Sequence, residues 1–288
     1  MIGWIDTIFQ GVLLGGLYAL FAMGLSLMFG VMRLVNIAHG DLILAASFVA
    51  FAIVDGAGAS PWIALACVLP LAFGAGYALQ RGVLNLTLGG DILPPLLVTF
   101  GLSIVIQNAL LEIFSADSRS INAGGLETAS LQVVDGLALG WLPLMIFLTA
   151  LAAAWFLQWL FGATALGRAF RATSDDRDAA QLMGINNRHV YALATGLALA
   201  LVAIAGLFHG MRTTIAPTDG PALLLYAFEA VIIGGLGSFW GTFAGGVILG
   251  VAQSVGFRLD PGWGILVGHL AFLVVLLAKP TGLFPKTR

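Results

Sequence analysis

Charge is scarce in this sequence. Asp, Glu, Lys and Arg make up 9% of its 288 residues, whereas 60% are hydrophobic and the mean hydropathy is +1.02. Soluble domains carry about 25% charged residues, so an ordinary soluble domain is excluded. The net charge of −2 gives no basis for binding nucleic acid, which requires a basic surface.

Lysine and cysteine are scarcer still, and their scarcity excludes further chemistry. The lysines are Lys279 and Lys286, and neither belongs to a Gly-x-x-x-x-Gly-Lys-Ser/Thr loop, so the chain has no ATP site of that kind. The single cysteine, Cys67, lies in an apolar run and leaves no disulfide framework. Neither a nucleophile elbow nor a metal-ligating histidine pattern is present. We therefore expect no catalytic residue, no metal and no cofactor.

The amino-terminal stretch lacks basic residues, since Arg33 is the first Lys or Arg in the chain. A cleavable signal peptide needs a basic region at its start, so the first hydrophobic stretch is expected to remain in the membrane. The apolar runs are long rather than short and alternating, which excludes an outer-membrane barrel. The chain is therefore predicted to be an all-α polytopic membrane protein.

Apolar runs are what the sequence has in abundance, and a membrane-spanning helix takes about 20 such residues. Nine crossings are predicted, although eight or ten also fit the pattern. They are residues 8–30, 41–54, 61–79, 94–113, 141–161, 189–211, 222–240, 241–257 and 263–278. The second run is short enough to be partly re-entrant, and the seventh and eighth fit equally well as one interrupted element. No internal repeat is recognisable.

The distribution of Lys and Arg predicts the orientation, because cytoplasmic loops carry more of them. With nine crossings, three basic residues fall on the outer side, and they are Arg119, Arg212 and Arg258. The other nine fall on the inner side: Arg33, Arg81, Arg168, Arg171, Arg177, Arg188, Lys279, Lys286 and Arg288. This asymmetry places the amino terminus outside and the carboxyl terminus in the cytoplasm.

A few polar residues lie in or beside the apolar runs. Glu229 lies within one of them, where it either forms a helix–helix hydrogen bond or lines a transport pathway. Asn36, His39 and Asp41 precede the second run, and capping of that helix is favoured over lining a cavity. His269, isolated in the last run, is interpreted as a packing residue.

Glycines are concentrated between the seventh and eighth runs, at Gly234, Gly235, Gly237 and Gly241. Glycine either turns the backbone or lets another helix approach closely. We therefore expect these four residues to serve helix packing.

Most of the remaining charge lies in the polar segment 162–189. Thr173 and Asp176 have the spacing of a capping box, acidic residues follow in the first turn, and Gly184 suits a left-handed helix stop. This pattern predicts an isolated helix of about two to three turns. It is either a solvated connection or a rigid element that docks on a cytoplasmic partner.

The same segment resembles the EAA-type cytoplasmic loop of ABC importer permeases. The resemblance rests on residues 167–173, 176–180 and 184–185, with Asp178 in place of the usual Glu, and the distal Ile-x-Leu-Pro part is not recognisable. Residues 16–20 continuing to 35–41, and residues 231–238, narrow the resemblance to permeases of branched-chain amino-acid importers, the LivH-like subunit. It covers nearly the whole chain.

The resemblance implies a single permease domain, residues 1–288, that forms the translocation pathway in the bacterial inner membrane. Its partners would be a second related permease, two cytoplasmic ATP-binding subunits and an extracytoplasmic substrate-binding protein. Asn36, His39 and Glu229 are the candidate pathway residues. The candidate coupling residues, with Ala180 at the contact surface, are Asp176, Arg177, Asp178, Ala179, Ala180 and Gly184.

Two other classes of protein fit the composition. A stand-alone secondary transporter or channel would need paired ionisable residues for ion coupling, and the apolar runs offer Glu229 alone. A membrane enzyme would need a nucleophile, a metal or an acid–base pair, and no such arrangement is recognisable. The sequence leaves the substrate open among branched-chain amino acids, other hydrophobic amino acids, amides, urea and small carboxylates.

Overall fold

Helices account for most of the residues that the computed structural model describes, which are 2–88, 93–134 and 137–284. They are α1 (Ile2–Met32), α2 (His39–Ala57), α3 (Pro61–Leu79), α4 (Asn85–Thr87), α5 (Leu93–Phe114), α6 (Trp141–Ala163), α7 (Ala165–Asp175), α8 (Arg177–Leu182), α9 (Asn187–Arg212), α10 (Gly220–Gly234), α11 (Phe239–Leu259) and α12 (Gly264–Ala278). A π-helical turn, Gln80–Leu84, joins α3 to α4. Seven helical stretches are long and apolar enough to cross a membrane, and α10 and α12 are shorter apolar helices. The fold class, with about nine spans, is confirmed.

A two-stranded sheet departs from the all-α expectation. Strands β1 (Ser130–Val134) and β2 (Leu137–Gly140) pair antiparallel, with Ser130 opposite Gly140. They lie in the long polar loop between α5 and α6. The same loop also pairs with the segment after α9, through a bridge between Arg119 and Ile215. The sheet is therefore an accessory of the loop, and the spans themselves are helical.

The seventh and eighth spans are separate helices, but their boundary lies earlier than we expected. The break falls at residues 235–238, where Gly235 and Gly237 have φ angles of 111° and 78° that favour glycine. Ser238 then starts α11 by accepting a hydrogen bond from the backbone N–H of Gly241. The predicted boundary between residues 240 and 241 is therefore wrong, because the sequence pattern did not reveal which glycines carry the turn.

The same glycines bring backbones together. A Cβ atom added at Gly234 would lie 2.1 Å from the carbonyl oxygen of Gly241, so these two positions admit only glycine without a shift of the backbone. Gly237 lies against Gly30, near the end of α1. Small residues of this kind let membrane helices approach closely, where dispersion contacts hold them together.

Two groups of three helices, α1–α2–α3 and α9–α10–α11, pack on each other. Helix α1 packs most extensively on α11, and α9 packs most extensively on α3. The first helix of each group therefore lies against the last helix of the other group, and α2 lies against α10.

Candidate functional site

The polar segment 162–189, which we call the coupling segment, contains two helices rather than one, α7 and α8. Thr173 lies inside α7, where its hydroxyl donates to the carbonyl oxygen of Ala169 at 2.9 Å, so the predicted capping box with Asp176 is wrong. Asp176 instead caps α8 directly: its Oδ1 accepts from the N–H groups of Asp178 and Ala179 at 2.9 and 3.0 Å. Asp178 lies in the first turn, where its charge complements the helix dipole.

Helix α8 ends as the sequence predicts. Gly184 has a φ angle of 86°, in the left-handed region, and the N–H of Ile185 donates to the carbonyl oxygen of Ala180 at 3.0 Å. This is the bond of a Schellman motif, which satisfies a carbonyl at the end of a helix. The helix is shorter than predicted, with six residues, because α7 occupies the preceding part of the segment.

The exposed side chains of α8 differ from those we expected. Ala180 was expected at the contact surface, but only 4% of it is exposed, so its side chain is covered by the rest of the chain. Leu182 and Met183 are instead 89% and 84% exposed. Large apolar side chains exposed at an aqueous loop are typical of an interaction surface. We call Leu182 and Met183 the coupling tip.

Contacts on three sides hold the coupling segment. Phe170 of α7 is buried against Phe161 of α6, with ring centroids 5.3 Å apart. The Ser174 hydroxyl donates to the Gly30 carbonyl oxygen of α1 at 2.8 Å. Asn187, at the start of α9, donates from Nδ2 to the Arg177 carbonyl oxygen at 2.6 Å. These contacts join the coupling segment to α1, α6 and α9.

Helices α2 and α10 meet at their first turns. A Cβ atom at Gly40 would lie 1.9 Å from the Gly220 carbonyl oxygen, so the two backbones are in direct contact. Asp41 is buried beside this contact and accepts hydrogen bonds from Ser103 Oγ at 2.5 Å and Gln107 Nε2 at 2.9 Å. The dipoles of both helices favour a negative charge at this point. Asp41 therefore joins α2, α5 and α10.

Asn36 and His39 are fully buried next to this junction. Asn36 Oδ1 accepts a hydrogen bond from the N–H of Ala38 at 3.0 Å, which shapes the turn before α2. The N-cap residue of α2 is Ala38, and no side chain caps the helix, so the expectation that Asn36, His39 and Asp41 cap it is wrong. His39 Nε2 lies 2.7 Å from the Phe21 carbonyl oxygen, well inside α1. The start of α2 therefore lies beside the interior of α1 rather than at the end of α1.

Glu229 is paired with a second ionisable residue. Its Oε1 lies 2.5 Å from His269 Nδ1 of α12, and Glu229 is 2% exposed. The interpretation of His269 as a packing residue is therefore incomplete, because its ring pairs with a carboxyl group. The partnership arises from the packing of α10 on α12, and residues 40 positions apart carry no sequence signal for it.

Aromatic rings connect this pair to a cavity. The rings of His269 and Tyr226 are stacked, and Tyr226 stacks in turn on Tyr18 with centroids 5.0 Å apart. The Tyr18 hydroxyl donates to Gln253 Oε1. Tyr18, Tyr226 and Gln253 line a cavity of about 450 Å³, together with Arg212 at the end of α9. We call this the distal cavity, because it lies at the end of the bundle opposite the coupling tip.

Sequence reasoning missed the distal cavity. Arg212 was counted as a loop residue, but it is the last residue of α9 and its Nη1 is buried. Tyr18 lies in one of the stretches that carry the family resemblance, which was the available signal. Gln253 and Tyr226 carried none, because each is a single polar group in an apolar run. None of the three predicted pathway residues, Asn36, His39 and Glu229, lines the distal cavity.

These features define a class of protein before any comparison. Long apolar helices, a loop with an exposed apolar tip at one end and a largely apolar cavity with a few polar groups at the other are features of membrane transport proteins. The model of the family described as "Branched-chain amino acid transport system / permease component" matches residues 7–277. The chain belongs to this family and is a membrane-spanning permease component, as the resemblance of the three stretches indicated.

Relatives support this assignment over nearly the full length. The high-affinity branched-chain amino acid transport system permease protein BraD of Pseudomonas aeruginosa is 29% identical over 97% of this chain and 95% of BraD. The corresponding LivH protein of Salmonella typhimurium is 30% identical over the same shares. The fructose import permease protein FrcC of Rhizobium meliloti is also 30% identical, over 71% of this chain and 60% of FrcC.

A solved structure supports the fold. A chain in the structure of PsaBC from Streptococcus pneumoniae in complex with Fab covers 98% of this chain and 97% of its own length, with a TM-score of 0.52. The sequence identity is 14%, so the similarity concerns the fold alone.

Proposed function

We propose that this permease imports branched-chain amino acids as the membrane subunit of an ABC importer in the bacterial inner membrane. It pairs with a second related permease, receives substrate from an extracytoplasmic binding protein and is driven by two cytoplasmic ATP-binding subunits. The amino terminus is outside and the carboxyl terminus is cytoplasmic, in accordance with the nine-to-three distribution of Lys and Arg.

The coupling tip is the observation that carries this proposal. Leu182 and Met183 project from a capped helix on the side predicted to be cytoplasmic. That helix contacts α9 directly and is joined through α7 to α1 and α6. An exposed apolar tip that is held in place by its neighbours suits insertion into a groove of a partner protein, because large side chains are buried on binding. Closure of the ATP-binding subunits would push on α8 and thereby move α1, α6 and α9.

The choice of substrate class is supported by the coverage of the relatives. BraD and LivH, which are named for branched-chain amino acids, align over 95% of their own lengths. FrcC, which is named for fructose import, aligns over 60% of its length. The distal cavity also has a largely apolar lining, with leucines from α1 and α10, which suits an aliphatic side chain better than a sugar.

Reconstitution of the complete importer tests the proposal. Proteoliposomes with the permease pair, the ATP-binding subunits and the binding protein should import leucine only with ATP, and leucine-loaded binding protein should stimulate ATP hydrolysis. Leu182→Asp with Met183→Asp should abolish that stimulation, because two charges cannot enter an apolar groove. Leu86→Asp is the matched control, since Leu86 is 79% exposed on the same predicted side but outside the coupling segment.

Proteoliposomes also distinguish the ABC importer from the alternative, a secondary transporter. The Glu229–His269 pair is a titratable pair of the kind that proton coupling requires. Leucine uptake by the permease alone, driven by a proton gradient without ATP, would support that alternative and contradict the ABC proposal.

A further inference from the structure

Two residues that line the distal cavity each carry a buried hydrogen-bond donor without a partner. The donors are Arg212 Nη1 and Gln253 Nε2. Buried polar groups in folded proteins are nearly always hydrogen-bonded, so two free donors on residues that line one cavity call for an explanation. Both are N–H groups and one belongs to a cation, so their natural partner is an anion with two oxygen acceptors.

Arg212 differs from other arginines at the same end of the bundle. Arg258, in the last turn of α11, donates to Thr7 Oγ1 at 3.2 Å and lies 5.2 Å from the Trp4 ring. Arg119 forms an ion pair with Asp117 at 3.5 Å. Arg212 has no side-chain hydrogen bond or ion pair with any residue in the described ranges, and no described residue lining the cavity is acidic. Burial of an arginine nitrogen without a partner is costly, so Arg212 is a candidate for binding an anion.

The rest of the lining sets the shape of the ligand. Leu14, Leu17 and Phe21 of α1 form an apolar wall beside the stacked rings of Tyr18 and Tyr226. The volume of about 450 Å³ lies within the range of small-molecule sites, about 300–1,000 Å³. A ligand that satisfies both parts of the cavity has a carboxylate at one end and a short aliphatic group at the other.

We propose that the distal cavity is a substrate site within the permease that binds the carboxylate of a small aliphatic amino acid through Arg212 and Gln253. This inference rests on the proposed function, which makes the substrate a branched-chain amino acid. The cavity opens on the side predicted to face the binding protein. It would therefore receive the amino acid on release and hold it before the spans move.

Direct binding to the complex tests this site. The complex of permease and ATP-binding subunits, purified in nanodiscs without binding protein or ATP, should bind radiolabelled leucine. Arg212→Met should weaken this binding about tenfold or more, the effect of removing a charge-assisted hydrogen bond. Arg258→Met should leave it unchanged, because Arg258 does not line the cavity. Equal binding by wild type and Arg212→Met, or no binding by wild type, would overturn the proposal.

Competition against the wild-type complex does not depend on a folded variant. The compound 4-methyl-2-oxopentanoate keeps the carboxylate and the branched chain and should displace leucine. Leucinol keeps the amine and the branched chain but lacks the carboxylate, and it should displace leucine poorly. Displacement by leucinol as effective as by leucine itself would show that the carboxylate is not recognised and would overturn the proposal.

The two proposals fail in different ways. If the reconstituted importer does not transport leucine while the complex still binds aliphatic carboxylates in an Arg212-dependent manner, the proposed substrate is wrong and the site stands. If leucine is imported with ATP but the complex binds no leucine by itself, the importer proposal stands and the site is wrong.

Discussion

The Ser174 hydroxyl donates a 2.8 Å hydrogen bond to the Gly30 carbonyl oxygen, which joins the coupling segment to the end of α1. Gly30 also contacts Gly237, in the turn between α10 and α11. Helix α1, the turn between α10 and α11 and the segment that bears the coupling tip therefore meet at one place. A cavity of about 770 Å³ lies there, lined by residues of all three.

Substitutions of Ala179 and Ala180 should separate docking from folding. Ala180 is buried by its own chain, so Ala180→Trp should displace α8 and lower the melting temperature of the purified permease, because overpacking costs about 1–3 kcal/mol. Ala179 is exposed, so Ala179→Trp should leave the melting temperature unchanged and reduce stimulated ATP hydrolysis. Thermal unfolding and ATPase assays on both variants measure this. An unchanged melting temperature for Ala180→Trp would show that α8 can shift away from the bundle without a loss of stability.

Gly184→Val should impair coupling through backbone strain. No atom lies within 4 Å of a Cβ added there, so the cost comes from the φ angle of 86° and amounts to about 1–3 kcal/mol. The strained stop should change the exit of the chain from α8 and reduce stimulated ATP hydrolysis. Gly82→Val is the control, because its site is equally open and has no positive φ angle. Equal activity of the two variants would mean that the exit angle of α8 does not matter.

The Glu229–His269 pair should contribute to stability as a unit. Glu229→Leu leaves His269 without its partner, which should destabilise the permease by about 1–2 kcal/mol. Glu229→Gln retains a hydrogen-bonding group and should be milder. The double variant Glu229→Leu with His269→Leu should recover part of the loss, because no unpaired polar group remains. Thermal unfolding of the wild type, Glu229→Leu, His269→Leu and the double variant measures the coupling energy of the pair.

Transport assays of the same variants decide whether Glu229 has a role in the pathway. We expect Glu229→Gln to import leucine at nearly the wild-type rate when equal amounts of folded protein are compared. A large loss of import at normal melting temperature would instead place Glu229 in the translocation pathway.

Labelling of single cysteines tests the orientation. In a Cys67→Ala background, Ser130→Cys should react with a membrane-impermeant thiol reagent from outside, and Gln181→Cys should react only from the cytoplasmic side. Both residues are exposed and lie at opposite ends of the bundle. Gln181 is preferred to Asn187, whose side chain holds the Arg177 carbonyl oxygen. Labelling of both cysteines from one side would contradict the nine-span topology.

The sequence alone determined the membrane class, the number of spans and the position of the coupling segment. These features depend on local properties: about 20 apolar residues cross a bilayer wherever they occur, and Gly184 terminates a helix through its own φ angle. The family resemblance was equally local, since contiguous stretches carried it.

Only the tertiary structure decided which residues act together. Glu229 pairs with His269, and Gly40 meets Gly220, across separations that leave no periodic pattern in the chain. The burial of Ala180 depends on the rest of the bundle, and so does the exposure of Leu182. Arg212 became a candidate ligand-binding residue only when packing placed its guanidinium in a cavity without an acidic partner. Membrane helices are uniformly apolar, so the face that each one turns inward is set by close packing rather than by amphipathic pattern.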